Sequence, residues 1–120
     1  MNSEATSELA EWQDFNQETV EALIEDGSDA SKVHTIEYHF ASADFEALEK
    51  AAVDAFKAGF EVGDAEELEL EDGEEVFCFD AVVERMLDTH LINQDTDKLF
   101  AIATKHDVDY DGWGTYYIEK

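Results

Sequence analysis

With 120 residues, the chain is long enough for one compact domain and short for two. Thirty-two Asp and Glu against seven Lys and Arg give a formal net charge of −25. This excludes direct binding to nucleic-acid phosphates or to an anionic membrane surface, since both depend on Lys and Arg. The same charge draws the chain to basic partners, with an attraction that salt weakens. With 44% apolar and 12% aromatic residues, it can bury a core that a disordered acidic chain cannot. Its one cysteine, Cys78, forms no internal disulfide and reads as a small core hydrophobe within Val76-Phe77-Cys78-Phe79. There is no basic, apolar leader and no run of about 20 apolar residues, so the expected location is cytoplasmic. Proline is absent, which leaves the turns to Gly, Asp, Asn and Ser.

Residues 1–31 hold nine acidic residues and no basic one. Leu9, Trp12, Phe15, Val20, Leu23 and Ile24 recur at near-helical intervals, interrupted by Asn16 and Thr19. They predict a helix over about 6–26, with Gly27 as its stop. Val33 to Phe40 alternates, with Ile36, Tyr38 and Phe40 on one side and Thr35, Glu37 and His39 on the other, as in a half-buried strand. Ser42 can cap a second helix whose apolar face is Phe45, Leu48, Ala52, Val53 and Phe56, ended by Gly59. A strand region from Phe60 through Leu68 and Leu70 then turns at Asp72-Gly73, a hairpin signal, and returns from Glu75 through Phe79 toward Val83. Residues 84–90 fit strand, turn or short helix. Asn93 can cap a third helix to His106, packing through Leu99, Phe100, Ile102 and Ala103. A last strand runs from Val108 to Tyr117, where Gly112 and Gly114 mark a bulge or a close approach by another group.

After the leading helix the order is β-α-β-β-α-β. That order predicts an α+β, ferredoxin-like two-layer sandwich with a four-stranded sheet, its first and last strands adjacent. One domain spans 1–120, with 1–31 as acidic N-terminal helix and turn and 32–118 as the sandwich.

Few residues point to chemistry. Asp107-Val108-Asp109-Tyr110-Asp111-Gly112 matches the opening of a calcium loop. Ile118 stands where that loop needs its bidentate Glu, so alternating acids on a solvent-facing strand explain the run better. His34 and His39 have opposite strand parity and should point to different faces, while His90 and His106 lie apart. Nine acids and no bases between Glu61 and Glu75 make pairs such as Glu66/Glu67 and Glu74/Glu75 uninformative as acid/base pairs. The expectation is therefore no catalytic residue, no metal and no cofactor.

The sheet's outer face carries the functional expectation. Val108, Tyr110 and Tyr116 are expected to face the helices. By parity Asp109, Asp111, Trp113, Thr115 and Tyr117 then share the outer side of the last strand, with Glu37 and His39 on the same face. Rings among carboxylates suit guanidinium groups. The expected partner-binding set is Glu37, His39, Asp109, Asp111, Trp113 and Tyr117, taking an arginine-rich segment. The competing reading has the leading helix cover this face, with Trp113 as ordinary packing.

Four segments carry a resemblance: Glu25-Asp26-Gly27-Ser28-Asp29, Thr35-Ile36-Glu37-Tyr38-His39, Leu48 to Lys57, and Tyr110-Asp111-Gly112-Trp113-Gly114-Thr115-Tyr116-Tyr117. Together they resemble the regulator of ribonuclease E activity, B type. The chain departs from that family at Ala30, where members often carry proline, and at Tyr38, where they often carry a second histidine. The resemblance implies an acidic, cytoplasmic α+β protein with no catalysis of its own. It would bind ribonuclease E at the non-catalytic C-terminal scaffold half, which contains arginine-rich stretches, and inhibit RNA cleavage. The alternative is an acidic ferredoxin-like module for another basic, Arg-rich protein.

Overall fold

A computed structural model describes residues 3–116 and 118. The elements are α1 (Ser3–Glu25), β1 (Val33–Ser42), α2 (Phe45–Lys57), β2 (Glu61–Val62), β3 (Glu66–Glu69), β4 (Glu75–Met86), α3 (Thr89–His106) and β5 (Asp109–Thr115). Five strands form one sheet in the order β2-β4-β1-β5, with β3 also on β4 and every pair antiparallel. The first and last strands are neighbours, as the chain order required. The expected count of four strands becomes five because the second strand is broken. β2 pairs with Val82 and Ala81, β3 pairs with Cys78 through Glu75, and Gly63-Asp64-Ala65 runs unpaired between them.

Local signals account for most boundaries. Gly27, at φ +103°, stops α1. Asp44, two residues past the expected Ser42, caps α2 by accepting the Ala47 N–H, and Ser42 Oγ in turn accepts the Asp44 N–H. Asp88 caps α3 a turn earlier than Asn93 would, so residues 84–90 divide into strand end, turn and helix start. Asp107 ends α3 in the left-handed region, at φ 56°, a conformation that Asp tolerates better than most residues. The acidic run from Asp107 to Asp111 is thus a helix cap followed by a strand.

The core lies between the sheet and the helices. Ile36, Tyr38 and Phe40 of β1 are fully buried, with Phe79 and Ala81 of β4 beside them. Phe40 stacks on Phe79 at 4.8 Å between ring centres. α2 meets these large side chains with Leu48, Ala51 and Ala55, whereas Phe45, Val53 and Phe56 are exposed. The expected apolar face is therefore rotated. The sheet supplies bulk, so the helix approaches closely through alanines. Cys78 is half-buried on the opposite face of β4, not in the core; burial, then Glu66 and Asp80, push its thiol up.

α1 packs on α3 and β5, on the same side of the sheet as α2. Trp12 meets Tyr110 edge-on at 5.0 Å, and Phe15 meets Trp113 at 6.5 Å. Asn16, which interrupts the apolar stripe in sequence, is fully buried at the centre of this contact. Its Nδ2 donates to Asn93 Oδ1 (2.8 Å) and Thr96 Oγ1 (2.9 Å), and its Oδ1 accepts from Trp113 Nε1 (2.7 Å). A second buried polar group, Asp95, accepts from Tyr38 Oη and from Nε and Nη2 of Arg85. Burial first, and the Asp95 charge second, push the Tyr38 phenol far above its ordinary range.

Candidate functional site

All three helices sit on one side of the sheet, so the other side is left to solvent among the described residues. The register fixes what that outer face shows. From β1 come Thr35, Glu37, His39 and Ala41, and from β4 Cys78, Asp80, Val82 and Glu84. Glu61 and Glu66 add to it from the broken edge, and Asp109 from β5. Two shallow grooves of about 430 and 440 Å³ adjoin it, one at the β4 edge past Thr35, Glu61, Val82, Glu84 and Arg85, the other past Asp64, Glu66, Cys78 and Asp80. No Lys or Arg of the described residues occupies an outward strand position on this face. Lys50 and Lys57 lie on α2, Lys98 and Lys105 on α3, Lys32 before β1, and Arg85 on the helix side of β4.

Glu37 and His39 stand on the outer face as expected, and Asp109 and Asp111 are exposed along β5. Trp113 does not join them. Tyr38 pairs with Trp113 and Phe40 with Tyr110, so Asp111 and Gly112 together oppose His39 alone. That is a β-bulge, and one extra residue reverses the parity of everything after it. Gly112 makes it possible with φ +88°, and a Cβ there would lie 3.1 Å from the Trp12 ring. Both expected roles of this glycine hold together. Trp113 is 5% exposed, turned to the helices and tied to Asn16. Thr115 also turns inward, its Oγ1 donating to the Thr35 carbonyl at 2.6 Å. Tyr116, expected to face the helices, is 65% exposed on the outer side, where its hydroxyl donates to Glu37 Oε1 at 2.9 Å. Tyr117 lies outside the described residues.

The competing reading is corrected in the same way: Trp113 is packing, but the helix that packs it covers the opposite face. The residues that sequence parity missed are Asp80 and Tyr116. Asp80 follows from the β1–β4 register, since it opposes His39 and accepts its Nδ1–H at 2.7 Å. Tyr116 was hidden by the bulge. Its bond to Glu37, and more weakly the charge of Asp80, push its phenol above the ordinary range. His34, by contrast, faces the helices fully buried, its Nδ1–H on the Lys32 carbonyl and its Nε2 hydrogen-bonded to Ser28 Oγ at 2.9 Å. His106 Nε2 is hydrogen-bonded to Asp54 Oδ2 at 2.7 Å between α3 and α2. Neither histidine joins the outer face.

Fold and face together define an acidic α+β domain with one helix-packed side and one open, carboxylate-lined side. A family model described as Regulator of ribonuclease activity B matches residues 13–115. A protein of that name from Pseudoalteromonas atlantica is 75% identical over 115 residues, covering 96% of this chain and 98% of the relative. Namesakes from Alteromonas mediterranea and Shewanella denitrificans are 69% and 60% identical, covering 92% and 86% of this chain and 83% and 80% of those proteins. The chain belongs to the regulator of ribonuclease activity B family. No helix among the described residues is long and apolar enough to cross a membrane.

Proposed function

We propose that this protein regulates ribonuclease E in the cytoplasm by docking its open acidic sheet face on the enzyme's non-catalytic C-terminal scaffold half. It has no catalysis of its own. Occupying basic scaffold segments changes how RNA is held there and lowers cleavage. The observation that carries this is a sheet face with no helix over it, lined by Glu37, Asp80, Asp109 and Asp111 and without Lys or Arg of the described residues at an outward strand position. Charge of one sign on an open surface speeds encounter with a basic partner and makes the complex salt-sensitive. Trp113 supports this face from behind by holding the β5 bulge. We also read the architecture as ferredoxin-like, with β2 and β3 as two pieces of one edge strand.

The test is capture of purified ribonuclease E, full-length and truncated to its catalytic half, at low and high salt, with RNA cleavage followed in parallel. Full-length enzyme should be bound, inhibited and released by salt, while the catalytic half escapes. Equal capture of both forms, or cleavage unaffected by bound protein, would refute the proposal.

A further inference from the structure

On the outer face, Gly114 leaves the sheet surface bare of a side chain. Gly114 lies directly opposite Glu37 in the β1–β5 register. A Cβ built on Gly114 would meet a single heavy atom within 4 Å, His39 Nε2 at 3.8 Å. Around this gap stand four side chains already held in position. His39 is fixed through Nδ1 by Asp80 Oδ1, and Tyr116 through its hydroxyl by Glu37 Oε1. Among the described residues, each carboxylate thus keeps its second oxygen for another donor. The Tyr116 ring, 65% exposed, is an aromatic surface tethered by its own polar end.

We propose that this gap is an arginine slot: the space above Gly114, between Tyr116 and His39 and flanked by the carboxylates of Glu37 and Asp80, receives one guanidinium group of a basic polypeptide in preference to an ammonium. The proposal rests on the reading of the outer face as the docking surface and names the side chain it selects. Charge complementarity commits the occupant to a cation, because two carboxylates stand here with no Lys or Arg of the described residues at an outward strand position. The ring and the fork of oxygens then choose between cations. Guanidinium is planar, weakly hydrated, stacks on aromatic faces and donates in pairs to carboxylates. An ammonium is compact and strongly hydrated, and gains less from either. The missing side chain at Gly114 supplies the depth that a flat group needs.

The intact protein would be titrated calorimetrically with hexa-arginine, hexa-lysine and hexa-citrulline peptides at about 0.15 M salt, near the physiological screening regime. The wild type should prefer the arginine peptide to the lysine peptide by about fivefold, an increment expected of one exposed cation–π contact with added hydrogen bonding. The citrulline peptide, similar in shape but uncharged, should not bind. Tyr116→Ala and Gly114→Leu should each abolish the arginine preference while leaving lysine-peptide affinity and circular dichroism unchanged. Gly114 has no positive φ, so Leu is compatible with its backbone. A wild type without the preference, or variants that retain it, would overturn the slot. Capture of ribonuclease E by the wild type is scored separately. Capture without arginine preference sinks the slot alone, and preference without capture sinks the ribonuclease reading alone.

Discussion

Replacing Asn16 with Ala removes the only side chain that joins α1 to both α3 and β5 through hydrogen bonds among the described residues. The indole N–H of Trp113, on a residue 5% exposed, then has no acceptor. The hydroxyl of Thr96, on a fully buried residue, loses its donor, while the half-buried Asn93 can turn to water. A buried neutral group left without a partner costs about 1–3 kcal/mol. The indole carries most of that cost, because a hydroxyl rotates to other acceptors and an indole N–H does not. With the small void left by the amide, Asn16→Ala should destabilise the fold by about 2–4 kcal/mol. For a domain of this size that lowers Tm by about 10 °C. Urea unfolding followed by far-UV circular dichroism measures the loss directly. Asn16→Ala combined with Trp113→Phe, beside the two single mutants, completes a double-mutant cycle with a coupling of about 1–2 kcal/mol. An Asn16→Ala protein within about 0.5 kcal/mol of wild type, or strictly additive single mutants, would refute the buried bridge. If the outer face is the docking surface as proposed, Trp113→Phe should bind ribonuclease E as the wild type does, since this ring faces the helices.

Two other perturbations test the edges of the site. Gly112→Ala places a Cβ at positive φ and 3.1 Å from the Trp12 ring. It should cost about 1–3 kcal/mol in urea unfolding, and an unchanged midpoint would mean that the bulge does not persist in solution. Glu67 shares a hydrogen bond with Glu75 across the β3–β4 hairpin, which raises its pKa above the ordinary 4.5. Its favourable contribution is therefore fully present below that value and is lost as pH rises through the raised one. Glu67→Gln should raise Tm at pH 7 and leave it nearly unchanged in acid, below about pH 4; an equal shift at both pH values would contradict the shared proton.

Periodicity made β1, α2, the Asp72-Gly73 hairpin and the adjacency of first and last strands legible, because each depends on local pattern or on chain order. Other features depend on what faces what. Asn16 looked like a flaw in the α1 stripe, since only α3 and Trp113 supply its partners. The inward face of α2 was misjudged because large residues were expected inside, whereas Tyr38, Phe40 and Phe79 had already filled that space. The site was half legible for one reason. Parity along β5 is reliable until a residue is inserted, and the glycine that marked a bulge did not say on which side Trp113 would emerge. Glu37 and His39, on an unbulged strand, were placed by alternation alone.

The sorting of charge between the two layers has a practical consequence. Four of the six lysines, at positions 50, 57, 98 and 105, sit on α2 and α3. Amine-reactive dyes and biosensor coupling chemistry will therefore attach chiefly through the helical layer. A preparation immobilised in this way is oriented, not random, with its carboxylate-rich side turned outward toward whatever flows past.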